Sequence, residues 1–371
     1  MKRAFSIFLS LILLLLSIFT VSAEGVSVSA GAYVLYCADS GQVLLSHNEN
    51  TPMGMASTTK IMTSLLALEY AASDDKEVEF TKEMIAEGSS MYLKVGDKVR
   101  LSDLAAGMMT VSGNDAANAV AFAVSGSMEE FAKLMNTRAS QIGMKSTNFV
   151  TPSGLDAHNH YSTPYDMALL MSYAMENEAF SELTSKKSVT VDFLYPEGQK
   201  VTYNNHNRLL SMYEYCVGGK TGYTRATGRC LVTCAERDGV RLVAVTFNDR
   251  NDWNDHTALY EYGFERFTAV TSPEEESRYT VSVMGSEREK ITAGVPMTKK
   301  SVVSREDADR VQCVVYLPPM VFAPVSKGDV IGKVVYTLDG EIVLENDLTA
   351  DMDAEYKETF SLLRLFQRIF S

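Results

Sequence analysis

The chain has 371 residues, of which 46% are hydrophobic and 22% charged, and its 47 acidic against 34 basic side chains give a formal net charge of −13. This is more than one domain's worth of length with enough apolar residues for a sizeable core, which excludes disorder and collagen-like repetition. The acidic excess, with no Lys/Arg cluster in any short window, lacks the footprint that holds a phosphate backbone, so no nucleic-acid partner is expected.

Met1, Lys2 and Arg3 cap an apolar run from Ala4 to Val21, and Val21-Ser22-Ala23 follows before Glu24. A basic cap, an apolar stretch and a small-residue cleavage pattern read as a secretory signal peptide over 1–23, so the protein is expected to work outside the cytoplasm. An uncleaved anchor is the competing reading, since the run is at the short limit for crossing a bilayer. Cys37, Cys216, Cys230, Cys234 and Cys313 are too few for a disulfide framework, and their odd number leaves at least one unpaired. No C-x-x-C occurs, so no metal is expected and the cysteines read as small buried apolar residues.

Strand-like runs at Ala32 to Cys37 and Gln42 to Ser46, split by Asp39-Ser40-Gly41, predict a hairpin. After Pro52 the pattern turns helical, and Ile61, Met62, Leu65, Leu66 and Leu68 predict a helix buried nearly all round. Residues 76–100 alternate in polarity around Gly88 and Gly96, suggesting short hairpins. From Ser102 to Met175 the chain reads as mainly helical, with a capping box at Ser127 to Glu130 and a helix start at Thr163-Pro164. Strands follow near Val189, at Val217 to Tyr223, Arg229 to Ala235 and Arg241 to Phe247, with Asp238-Gly239 as a tight turn. A helix carrying Trp253, Leu259, Tyr262 and Phe267 closes this first domain, 24–270. The polar, acidic stretch from Thr271 to Glu276 opens a second domain, 271–353, whose strand runs and absence of a long helix predict a small β-sandwich. Within the last segment, 354–371, Leu362, Leu363, Phe366, Ile369 and Phe370 fall on one helical face with Arg364 and Arg368 elsewhere, an amphipathic helix suited to a membrane surface or to docking on protein.

Three short motifs carry the chemistry. Ser57 and Lys60, three residues apart at the opening of the buried helix, project from one face, so the lysine reaches the serine hydroxyl. A lysine in an apolar segment is desolvated, which favours its neutral, proton-accepting form, and a helix start offers backbone amides for an oxyanion. Ser112-Gly113-Asn114, between two helices, adds a hydroxyl for proton relay and an amide for a substrate peptide group. Lys220-Thr221-Gly222, on a strand, adds a cation, a hydroxyl and a glycine that leaves room for substrate against the backbone. Each motif alone is common and has a bland counterpart in a helix cap, a glycine turn or a strand end. Their occurrence together and in this order is not.

The set resembles the penicillin-recognising serine enzymes with their S-x-x-K, S-x-N and K-T-G motifs. It is more narrowly similar to the low-molecular-mass D-alanyl-D-alanine carboxypeptidases of peptidase family S11. Ser153-Gly154-Leu155-Asp156 with Tyr161-Ser162-Thr163, Asn207-Arg208 before the K-T-G, and the β-rich second domain with its terminal helix also match that family. The resemblance implies an α+β fold: a β-lactamase/transpeptidase-like catalytic domain, with an antiparallel sheet flanked by helices plus a helical subdomain, then a small all-β domain and a C-terminal amphipathic helix. It implies Ser57 as nucleophile, Lys60 as general base and Ser112 as proton shuttle. It further implies that Asn114 holds the peptide stem, that Lys220 and Thr221 beside Gly222 bind the terminal carboxylate with Arg208 as electrostatic helper, and that the backbone amides of Ser57 and Tyr223 form the oxyanion hole. No cofactor is implied. Peptidoglycan stem peptides are the implied substrates, β-lactam antibiotics covalent inhibitors, and the membrane surface the partner of the terminal helix.

A class A β-lactamase shares the motifs but needs a glutamate before the third, and none occurs from Thr151 to Met175. A D,D-endopeptidase would use the same residues. An inactive wall-binding or sensor protein would have no need for a serine and a lysine on one helical face. His158-Asn159-His160 reads as a loop rather than a metal pair, and Asp156 as a loop cap.

Overall fold

The computed structural model describes residues 26–357. The expected signal peptide and the apolar face of the expected terminal helix lie outside the described residues. Within the described part of 354–371 the chain is not helical, and Ala354 bridges Val325 instead.

The expected N-terminal hairpin is β1 (Ala32–Cys37) and β2 (Gln42–His47). After a 3-10 turn at Ala56–Thr59 comes helix α1 (Lys60–Ser73), whose residues Lys60 to Leu68 are all buried. Ile61, Met62, Leu65 and Leu66 have no exposed surface, and each such side chain contributes roughly 1.5–3 kcal/mol. Residues 76–100 give β3 (Glu77–Glu79) and β4 (Lys98–Arg100), paired to each other, with the long segment between them laid over the helices that follow. Those helices are α2 (Leu101–Val111), α3 (Asn114–Ser125), α4 (Met128–Ile142), α5 (Pro164–Met175) and α6 (Glu178–Ser185). Thr163 accepts from Asp166 N ahead of Pro164 as read, and Ser127 accepts from Glu130 N and caps α4, but the Glu130 carboxylate accepts from Lys133 Nζ (2.7 Å) rather than closing the expected capping box.

A small ribbon of β5 (Ser188–Asp192) and β6 (Lys200–Asn204) and a one-turn helix α7 (Leu209–Met212) lead back to the main sheet. That sheet adds β7 (Cys216–Thr224), β8 (Gly228–Arg237) and β9 (Val240–Phe247) to the hairpin, in the antiparallel order β2-β1-β9-β8-β7. The first strand thus pairs with the last. Alternate residues face opposite sides: Cys230, Val232 and Cys234 pack with the α1–α6 layer, whereas Leu231, Ala235 and Leu242 pack against helix α8 (Asp252–Arg266). Cys37, Cys216, Cys230 and Cys234 are unpaired and buried; Cys313 is unpaired and exposed.

The transition to the second unit is earlier than its polar composition suggests. Phe267, expected on α8, instead takes extended backbone and opens strand β10 (Phe267–Thr271), which pairs with β13 (Lys300–Ser304), so the acidic stretch lies inside the second unit. The expected sandwich takes the form of this two-stranded ribbon and one six-stranded sheet of β11 (Tyr279–Met284), β12 (Lys290–Gly294), β14 (Gln312–Tyr316), β15 (Met320–Phe322), β16 (Val330–Leu338) and β17 (Glu341–Ala350), ordered β14-β16-β17-β12-β11-β15. The units are stitched together where Lys300 Nζ donates to Gly239 O (3.0 Å) and Val302 joins the core around Leu242 and Phe264. Among the described residues, no helix is long and apolar enough to cross a membrane.

Candidate active site

The fold brings the three motifs to one cleft. Ser57 stands in the 3-10 turn ahead of α1, and Lys60 is the first residue of the helix itself. Lys60 Nζ lies 3.0 Å from Ser57 Oγ and donates to Asn114 Oδ1 (2.7 Å) and to the Ser153 carbonyl (2.6 Å). Lys60 is fully buried, and its pKa falls well below the usual lysine value because of burial and then the nearby Lys220, with Asp115 opposing. A neutral amine has two hydrogens and one lone pair. The two shorter bonds take the hydrogens, which leaves the lone pair facing the Ser57 hydroxyl.

Ser112 caps α2 in a left-handed conformation, φ 62° and ψ 32°, which turns the chain into α3 and puts its hydroxyl within 3.1 Å of Lys220 Nζ. Lys220 lies on β7, fully buried, also donates to Thr221 O, and is pushed down to about 7 by burial. Asn114 is expected at the peptide stem. Its amide oxygen is engaged by Lys60, and its Nδ2 donates to Glu87 O (2.6 Å), so both ends of its side chain are held within the protein.

Gly222 has a second reason to lack a side chain. A Cβ there would sit 3.0 Å from Met55 O and 3.1 Å from Ser57 N, so the missing side chain admits the nucleophile's own turn rather than substrate alone. This approach brings Gly222, the residue before Tyr223, against the backbone of the Ser57 turn at the free edge of the sheet.

Ser57, Ser112, Thr221, Gly222 and Tyr223 line a cleft of about 300 Å³. Arg208 does not. It is exposed, precedes α7, and lines a separate cavity with Lys187 and Ser211, because the Asn207 side chain accepts Leu209 N and turns the next residue outward. The guanidinium in the cleft is that of Arg229, whose Nε and Nη2 grip the Asp252 carboxylate (3.0 and 2.7 Å) and whose Cζ lies 5.7 Å from the centroid of the Trp253 ring. The one available signal was the β7–β8 register, which places Arg229 opposite Tyr223. His206 and Ser89 complete the lining; His206 is lowered by burial and then by Lys220. Sequence reasoning also missed the segment bearing Ser89, held by Asn114 N to Ser89 O (2.7 Å) and by Asp115, which accepts from Met91 N and Leu93 N. Among the described residues, no group of three or more His, Cys, Asp or Glu side chains is arranged to hold a metal ion.

Comparison with known proteins agrees with this geometry. The D-alanyl-D-alanine carboxypeptidase family, peptidase S11, matches residues 18–251, and the C-terminal domain of penicillin-binding protein 5 matches residues 267–356. Similar relatives are the D-alanyl-D-alanine carboxypeptidases DacF of Bacillus subtilis, 33% identical over 87% of this chain and 85% of that protein, and DacC of Escherichia coli, 32% identical over 88% and 84%. Among solved structures, penicillin binding protein 5 from Haemophilus influenzae superposes with a TM-score of 0.74 at 28% identity, covering 90% of this chain and all of that one. The Streptomyces K15 DD-transpeptidase, solved as a point mutant, gives 0.61 at 30% identity, covering 64% of this chain and 99% of that one. With motifs, fold and both domains in agreement, this chain belongs to the peptidase S11 family of D-alanyl-D-alanine carboxypeptidases.

Proposed function

We propose that this protein is a serine-type D-Ala-D-Ala carboxypeptidase that removes the terminal D-alanine of peptidoglycan pentapeptides through an acyl-enzyme on Ser57. The observation that carries the reading is the Lys60 amine, fully buried, bonded to Ser57 Oγ and oriented by two fixed acceptors. Lys60 takes the Ser57 proton as Oγ bonds to the carbonyl carbon between the two D-alanines. The oxyanion is received by the amides of Ser57 and Tyr223. The carbon–nitrogen bond then breaks, and Ser112, beside Lys220, relays the proton to the departing amine. Water, deprotonated by Lys60, attacks the ester; Ser57 regains its proton and the shortened stem leaves.

Lys220 and Thr221 bind the terminal carboxylate. Arg229 replaces Arg208 as the helping cation, a role supported by its place in the cleft and by the guanidinium donors that its pairing with Asp252 leaves open. β-Lactams acylate the same serine and stay bound. The catalytic domain extends from residue 24 to the end of α8 at 266, short of the expected 270, and the β domain takes the residues from 267 to 353. Secretion by residues 1–23 and attachment of the basic, apolar tail to the outer face of the cytoplasmic membrane place the enzyme beside its substrate.

The test is D-alanine release by the full chain from a pentapeptide and from a crosslinked stem dimer. Release from the pentapeptide alone is expected. Faster cleavage of the dimer would make the protein an endopeptidase, and activity on neither would overturn the reading.

A further inference from the structure

His160 belongs to a motif that the chemistry above leaves unused. Its neighbour His158 is exposed, but His160 is buried at 8% exposure beneath the nucleophile's turn. His160 Nδ1 accepts from Val150 N (2.9 Å), so in the neutral ring the hydrogen is on Nε2 and is donated to Thr59 Oγ1 (2.9 Å). Burial pushes the ring down to about 4, with Asp156 opposing and Lys60 adding to the shift, so this tautomer holds at neutral pH.

The two bonds join the start of α1 to the segment 150–154, and that segment carries an acceptor of the base. Thr59 immediately precedes Lys60. Thr63, one turn later on the same face as Thr59, donates to Pro152 O (2.6 Å), and Lys60 donates to Ser153 O. Gly154, at φ +80°, presses on the turn so closely that a Cβ would come within 1.9 Å of Ala56 O and 2.8 Å of Thr59 Oγ1. Helix and segment therefore meet through Thr59, Lys60 and Thr63, with His160 closing the end nearest Ser57.

We propose that His160 is a positioning residue for acylation: through Thr59 and Val150 it holds the Ser153 carbonyl in register with the first turn of α1, which aims the Lys60 lone pair at Ser57. This inference rests on the reading of Ser57 and Lys60 as nucleophile and base. His160 touches neither substrate nor the reacting atoms, so its loss alters the rate of bond formation and leaves binding alone.

The test is the acylation of the full chain by a penicillin, resolved into the dissociation constant of the initial complex and the rate constant of acylation. Thr59→Val and His160→Ala are each expected to slow acylation about tenfold with binding changed less than twofold, and Thr59→Ser to restore the wild-type rate. The double variant is expected to be no slower than the slower single one, because both break one link. Multiplying effects, an unchanged rate in Thr59→Val, or weakened binding at a normal rate would overturn the proposal. If His160→Ala does not fold, the Thr59→Val and Thr59→Ser pair, differing in a buried methyl and hydroxyl, decides alone. An unmodified Ser57 in the wild type would instead overturn the functional reading, which separates the two failures.

Discussion

The two units of the molecule bury different things. In the first, Lys60, Lys220, Asp115, Asp252 and His256 are all buried, each tied to named partners. In the second, the buried polar side chains are Ser272, Ser301 and Asn346, none of them charged, while Phe322, Val330 and Ile342 stand exposed. Burying a charge is costly unless it is paired or neutralised. The first unit meets that cost where it yields a lysine of lowered pKa beside a serine. The second carries no such group, and its cores are small, around Val281 with Ile291 and around Val334 with Leu348.

The contrast breaks most sharply at Lys60. Lys60→Ala removes the base and is expected to lower the rate of penicillin acylation by about 10²- to 10⁴-fold with the fold retained, as checked by stopped-flow kinetics and circular dichroism. Retained activity would mean that the buried amine is structural.

A smaller effect lies in stability against acid. Burial lowers His256 to about 3 and His160 to about 4, against 6.5 when unfolded. Between those values the unfolded chain binds more protons, so stability present above pH 6.5 is lost as pH falls toward 4, by up to about 1.4 kcal/mol per pH unit for each histidine. All five histidines lie in the first unit. Denaturant titrations across this range are expected to show the loss, and His256→Gln to reduce its slope; a flat profile would contradict the burial of both rings. At the small end, Ile342→Thr on the exposed face of the second unit is expected to change stability by less than ~0.5 kcal/mol and the acylation rate not at all.

What could be read in advance was what depends on near neighbours in the chain. Ser57 and Lys60 lie within one helical turn, Asp238-Gly239 closes a two-residue hairpin with both residues at positive φ, and Thr163-Pro164 starts a helix. What was misplaced depends on long-range packing. Arg208 is the cation expected near the K-T-G from sequence, and it is the β7–β8 register, with Asp252 further along the chain, that puts Arg229 in the cleft. The role of Gly222 as a seat for the turn at Met55 to Thr58 and the hold of Asn114 on Lys60 required two distant segments to meet. In the second unit, β12, β13 and β15 are runs of three to five residues whose broken alternation leaves little periodic signal.

The most direct measurement incubates the full chain with a penicillin and maps the covalent adduct by mass spectrometry. The mechanism predicts a single penicilloyl group on Ser57, absent from Ser57→Ala. No adduct, or one that persists at another residue when Ser57 is replaced, would contradict it.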